Sequence, residues 1–248
     1  MNNIFIIGIT HSFHNENINY PAQIIEKILI DISPDLILLE ITEDKLNKGK
    51  IKISKEDPSQ YPEIEYLNNA ATRLNISILP IEYNDYYNKL HDLYLLMNET
   101  FYADKKADLI NLILNTNSNS LDKVLIKNNI FIEEQYLYFA KTANAETINS
   151  KVFDDIVQIN HIWEFEVFTY LAYKYNFNNI GHIQQLQQEL WNKRNVQMSN
   201  NILNVIKSNI YKKVAIVVGA EHRYMLKKIL QDQIPASYSI KEYYQNKI

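Results

Sequence analysis

Two stretches near opposite ends of the chain repeat one pattern. Phe5-Ile6-Ile7-Gly8-Ile9-Thr10-His11 and Ile216-Val217-Val218-Gly219-Ala220-Glu221-His222 are each an apolar run, a glycine, two further residues and a histidine. Only 4 glycines occur in 248 residues, and two of them stand here. An apolar run ended by glycine reads as a buried strand with a sharp turn at its carboxyl end. In open parallel sheets, ligands collect outside that end. Histidine titrates near neutrality and its ring nitrogens bind metals or move protons. Two histidines delivered by two strands could therefore converge on one metal ion or one substrate.

Further residues join them. Glu40 follows the apolar run Leu36-Ile37-Leu38-Leu39, so it falls at the same sheet edge. A carboxylate there must be solvated, paired or metal-bound to offset its desolvation. Arg194 sits in the stripe Leu186, Leu190, Met198, Ile202, where a leucine is expected, and a buried guanidinium calls for a carboxylate, phosphate or oxyanion. Asn195 lies beside it. Glu82 and Asp85 follow a third strand as second-rank candidates, and His14 reads as substrate-facing or exposed. Glu63 reads as a catalytic acid/base or, preferred, as a favourable charge at a helix start. His161 and Glu164, three apart on a helix, read as core. His91 and His182 read as surface or cap positions.

The elements that must position these residues follow from periodicity. Strands are expected at 3–7, 36–39, 76–81 and 214–218, with a last edge strand within 236–242. Helices are expected at 21–32, 62–74 and 221–230. The polar stretch 42–60 and residues 115–120 read as loops. Between the third and fourth strands the pattern is helical throughout, at 86–115, 120–129, 131–147, 153–175 and 182–208. The β-α-β-α-β order predicts an α/β domain, 1–248, with a mainly parallel central sheet. Its helical lobe, 86–208, is inserted between the third strand and the strand at 214–218.

Composition narrows the classes. Hydrophobic residues make up 46% and charged residues 22%, which suits a globular chain with a sizeable core. The absence of Cys removes disulfides, thiolate metal sites and cysteine nucleophiles. A net charge of −4 argues against broad nucleic-acid binding. No Gly-rich phosphate loop and no G-x-S-x-G elbow occurs. The N-terminus lacks the basic region and cleavage site of a secretory signal, and no apolar stretch is long enough to span a membrane. A cytoplasmic protein is expected, without a membrane or nucleic-acid partner.

The order Gly8-Ile9-Thr10-His11, Pro34-Asp35-Leu36-Ile37-Leu38-Leu39-Glu40, Trp191-Asn192-Lys193-Arg194-Asn195-Val196-Gln197-Met198 and Val217-Val218-Gly219-Ala220-Glu221-His222 resembles a broad superfamily. It includes TraB/PrgY proteins, Tiki metalloproteases, erythromycin esterases and ChaN-like haem-binding proteins. The resemblance implies an erythromycin esterase- or ChaN-like α/β core with a helical lobe. Tiki-like members imply a metallopeptidase in which His11, Glu40 and His222 hold a divalent ion such as Mn, Zn, Co or Fe. Esterase-like members imply a metal-free hydrolase in which a histidine activates water, and ChaN-like members imply a haem-binding protein. The chain departs from the Tiki and TraB members in lacking a membrane segment. It departs from the esterases in lacking an acidic neighbour at the first histidine.

Two readings follow. One is a hydrolase of a small-molecule or peptide substrate, using His11, Glu40, Arg194 and His222, with His14, Glu82 and Asn195 binding substrate. Arg194 would stabilise the oxyanion. The other is a non-catalytic protein that holds haem or another anionic ligand in the same crevice.

Overall fold

The computed structural model describes residues 1–47, 50–51, 61–83, 85–115, 120–208 and 210–246. The expected loop over 115–120 lies mostly outside them, as does most of 48–60.

Strand β1 spans Asn2–Ile9, helix α1 Gln23–Ile32, and β2 Leu36–Leu39. Two two-residue strands, β3 (Leu46–Asn47) and β4 (Lys50–Ile51), pair antiparallel inside the stretch expected as a loop. Helix α2 (Glu63–Leu74) leads to β5 (Ser77–Pro80). A run of helices follows: α3 (Tyr86–Glu99), α4 (Tyr102–Asn115), α5 (Ser120–Thr142), α6 (Ala145–Ile148), α7 (Lys151–Ile162), α8 (Phe168–Lys174) and α9 (Asn178–Ile206). The chain then returns as β6 (Lys213–Gly219), α10 (Arg223–Gln231) and β7 (Tyr238–Lys241).

The main sheet has five strands in the order β5-β2-β6-β1-β7, every pair parallel. The α/β class and the parallel sheet are therefore as expected. Its three central strands, β2, β6 and β1, are buried apolar runs, the composition that suits a sheet covered on both faces. One face, with Ile4, Ile6, Leu38, Ile216 and Val218, packs on Met198, Ile202 and Ile206 of α9 and on Leu226 and Leu230 of α10. The chain leaves β1 towards β2 and leaves β6 towards β7, in opposite directions, so the two connections cross opposite faces. Neighbouring strands whose connections diverge in this way open a crevice at their carboxyl ends.

The chain forms two compact units. One comprises residues 1–84, 138–155 and 195–248, and the other 85–137 and 156–194. The helical unit is thus smaller than the insertion, because 138–155 and 195–208 pack with the sheet. Its own core includes Leu109, Ile113, Phe168, Leu171, Ile180 and Ile183. The helix expected over 86–115 is broken at Phe101, which takes a positive φ of 52°. The two helices expected over 120–147 are one long helix and a short one. The helix expected over 153–175 carries a π turn at Trp163–Val167. The stripe of α9 changes neighbours along its length: Leu186 and Leu190 lie against the helical unit's core, while Met198 and Ile202 lie under the sheet.

Candidate active site at the sheet edge

Glu40, His222 and His11 follow β2, β6 and β1, the three adjacent central strands. In register, Leu39 pairs with Val217 and Ile9 with Gly219. The Glu40 amide still bonds to the Val217 carbonyl at 3.2 Å, so the ladder runs to the residue that carries the carboxylate. The geometry brings all three side chains around Gly219. A methyl group on Gly219 would lie 3.0 Å from His11 Nε2, 3.5 Å from Glu40 Oε2 and 3.6 Å from His222 Cδ2. Glycine is needed here for space, since the backbone itself becomes the floor between two imidazoles.

His11 opens a 3₁₀ turn, His11–Asn15, with φ at 46°. A positive φ is uncommon for a non-glycine residue and costs on the order of 1 kcal/mol or more. The turn aims the ring back over the strand end. His11 Nδ1 lies 2.9 Å from Glu63 Oε1, and the Glu63 side chain is buried. With a carboxylate at Nδ1, that nitrogen carries the proton, and Nε2 presents its lone pair when the ring is neutral. The sequence reading prefers a helix-start charge for Glu63 over a catalytic acid/base. It does stand in the first turn of α2, but its carboxylate is the partner of His11. Its Oε2 is buried without a hydrogen-bond partner among the described residues. The signal in the sequence is its place on the apolar face of α2 with Leu67, Ala71 and Leu74, where a purely electrostatic cap has no reason to be.

His222 closes the 3₁₀ turn Ala220–His222, which leads directly into α10. Its Nδ1 lies 2.8 Å from Asn195 Oδ1, and Nε2 lies 3.4 Å from Glu40 Oε1. Glu40 Oε2 accepts the Gly219 N–H at 2.6 Å. Both imidazole nitrogens thus face oxygens. An oxygen at each ring nitrogen can accept a proton that the nitrogen carries. Asn195 is fully buried, and Glu40 is only 7% exposed on its side chain. Asn195, expected as a binding residue, is the holder of His222.

Three other groups keep β1 in line. Beyond the end of β7, Gly8 has no neighbouring strand on one side among the described residues. The Asn149 side chain takes that place, accepting the Gly8 N–H at 2.6 Å and donating to its carbonyl at 3.2 Å. The Tyr20 hydroxyl donates to the same carbonyl at 3.0 Å, and burial pushes its pKa well above the ordinary tyrosine value. Arg223, fully buried, bonds to Asp154 through Nε at 3.0 Å and Nη2 at 3.1 Å, and donates to the Ile6 and Asn149 carbonyls. Glu242 and Lys227 complete a charge-balanced group with it. Burial alone would lower the guanidinium pKa, but Asp154 and Glu242 outweigh it and hold the net shift upward. Sequence reasoning misses Arg223 because it lies one residue past His222, at a helix start where an exposed cation is ordinary.

The remaining candidates have other partners. His14 is not exposed or substrate-facing. It is buried, its Nδ1 donating to the Tyr20 carbonyl at 2.6 Å and its Nε2 accepting the Thr10 N–H at 3.1 Å. It fixes the turn that carries His11, and burial holds its pKa below the ordinary value despite the Tyr20 bond and the Glu63 charge. Glu82 is buried and caps the Tyr83 amide at 2.7 Å. It lines a separate cleft of ≈ 230 Å³ with Glu43, Pro80, Asn201 and Asn204. Arg194 belongs to the helical unit, where its guanidinium stacks 3.8 Å from the Tyr86 ring centroid. Asp85 stands before α3 and accepts from Asn88. His161 packs on Phe165 and Trp191, an aromatic cluster as expected, and Glu164 pairs with Lys106. His91 and His182 are exposed.

As they stand, His11 is hydrogen-bonded to Glu63, His222 to Asn195 and Glu40 to the Gly219 amide, with Glu40 Oε1 3.4 Å from His222 Nε2. Among the described residues no group of three or more His, Asp or Glu side chains is placed to hold an ion. Among them, too, no helix is long and apolar enough to cross a membrane.

No protein-family model, no curated protein and no solved structure matches the chain.

Proposed function

We propose that the carboxyl edge of the sheet is a hydrolytic site acting on an ester or peptide bond, with His11 as general base. The observation that supports this most is the meeting of two histidine–carboxylate pairs, His11–Glu63 and His222–Glu40, around Gly219. Glu63 holds the His11 tautomer so that Nε2 can take a proton from water as its oxygen adds to the carbonyl carbon. When the tetrahedral intermediate collapses, the proton shared by His222 and Glu40 goes to the leaving group. The proton on His11 then returns to solvent, and the His222–Glu40 pair is recharged from solvent. The two histidines divide the labour by environment: the His11 side chain is 37% exposed and His222 4%. Arg194 remains the sequence-based candidate for the oxyanion and is tested on its own.

The test is a panel of chromogenic esters and short peptides, assayed with the wild-type chain, His11→Ala, His222→Ala and Arg194→Lys. Hydrolysis that both histidine variants lose, with circular dichroism unchanged, supports the reading. Full activity in His11→Ala overturns it. Metal content of the unchelated protein is measured in parallel. Stoichiometric Mn, Zn, Co or Fe, lost in His222→Ala, would replace this mechanism with the metal-dependent one. A haem absorption band lost in the same variant would favour the ligand-binding alternative.

A further inference from the structure

Helix α5 buries Asp122 and Ile126 but leaves a long face in solvent. Leu121, Val124, Ile130 and Phe131 are exposed, Val124 by 50% and Phe131 by 59%. Val124 and Phe131 are seven residues apart, so they lie on one line along the helix. Exposed Lys127 and Glu134 lie on one flank of that line, and Asn128 and Gln135 lie on the other, each pair again seven apart.

That layout is self-complementary in one direction only. In an antiparallel pair with a two-fold axis at Phe131, the flanks keep their sides while the ends exchange. Lys127 of each copy then faces Glu134 of the other, Asn128 faces Gln135, and the two Phe131 rings meet at the axis. In a parallel pair the two-fold axis runs along the helices and exchanges the flanks, so Lys127 would face Asn128 and Glu134 would face Gln135, and no opposite charges meet. A different partner would not require this internal symmetry. We propose that the protein self-associates through α5, two copies packing antiparallel across a two-fold axis at Phe131. One helix per copy buries about 1,000 Å² or less in total, the low end of specific interfaces, so the dimer is weak and concentration-dependent.

The test is sedimentation velocity of the full chain over a concentration series. The wild type is expected to move from monomer to dimer, and Phe131→Glu to remain monomeric with unchanged circular dichroism. Lys127→Glu and Glu134→Lys should each weaken association roughly tenfold, and the double charge exchange should restore it. Because the chain has no cysteine, single-cysteine variants report direction cleanly. Phe131→Cys should form a disulfide dimer on oxidation, while Val124→Cys should not, since its own mate lies at the far end. A wild type that stays monomeric at every concentration overturns the proposal. So does a dimer indifferent to Phe131→Glu, or one that Val124→Cys cross-links as readily as Phe131→Cys.

Discussion

The two Gly-x-x-His ends share a spelling and a place in the sheet, yet they are built differently. At the first end, Gly8 has Arg223 behind it: a methyl group there would lie 2.8 Å from Arg223 Cδ and 3.0 Å from the Ala220 Cα. At the second end, Gly219 faces the site itself. His11 swings out on a positive-φ turn and is held by one carboxylate from α2. His222 is tucked under α9 and is held by an amide and a carboxylate. One glycine serves packing and the other serves the site. An identical motif therefore specifies a strand end and a histidine, and the neighbours decide what that histidine can do.

The comparison can be broken most severely at the histidines. His11→Ala is expected to lower kcat by roughly 10²–10⁴-fold and to lower Tm less than His222→Ala, since the ring is partly exposed and water can reach Glu63 in its place. His222→Ala should lose activity and also stability, because the ring's contacts to Asn195 Oδ1 and Glu40 Oε1 are removed from a buried setting. Thermal melts beside the ester assay separate the two cases; equal losses of Tm would show that the two ends are not distinct.

Arg223→Met comes next. It leaves Asp154 and Glu242 facing one another without the guanidinium, and should cost about 3–5 kcal/mol in urea unfolding. The same change at the exposed Arg73, paired with Glu26 at the surface, should cost well under 1 kcal/mol.

The glycines sharpen the contrast by a matched substitution. Gly8→Ala must displace Arg223 or the Ala220 backbone and should lose about 1–3 kcal/mol. Gly219→Ala keeps an ordinary backbone but crowds the His11 ring, so activity should fall about tenfold or more while the urea midpoint barely moves. The reverse pattern would mean that the site does not lie where His11 and Glu40 approach Gly219.

The smallest effect concerns pH. His14 is held below its ordinary value of 6.5, first by burial. The unfolded chain therefore takes up its proton before the folded chain does. This contribution is fully present above pH 6.5 and is lost as pH falls from 6.5 towards the folded-state value. Its slope cannot exceed about 1.4 kcal/mol per pH unit. Urea midpoints across that window check it, with His14→Gln expected to flatten the slope.

Much of this arrangement was legible before any coordinates. The central strands announce themselves because they are short apolar runs bounded by Gly8, Pro34 and Gly219, and a strand buried on both faces tolerates little else. Placing Glu40, His11 and His222 at one edge follows from strand direction alone. The breaks in the helical region were not legible: a positive φ at Phe101 and a π turn at Trp163–Val167 leave no composition signal, and the continuous pattern over 120–142 has no capping residue to mark or deny a boundary.

The sequence by itself determined the parallel sheet, the edge at which the candidate residues gather and the three residues brought there, because side-chain period and strand polarity are local properties. Only the tertiary structure decided the partners. Glu63 reaches His11 from 52 residues away, Asn195 reaches His222 across 27, and Arg223 meets Asp154 across 69. Such pairings depend on how α2, α9 and the 138–155 segment pack on the sheet. The physical reason is that a buried polar group must be satisfied by whichever element happens to cover it, and that choice is made by packing rather than by spacing along the chain.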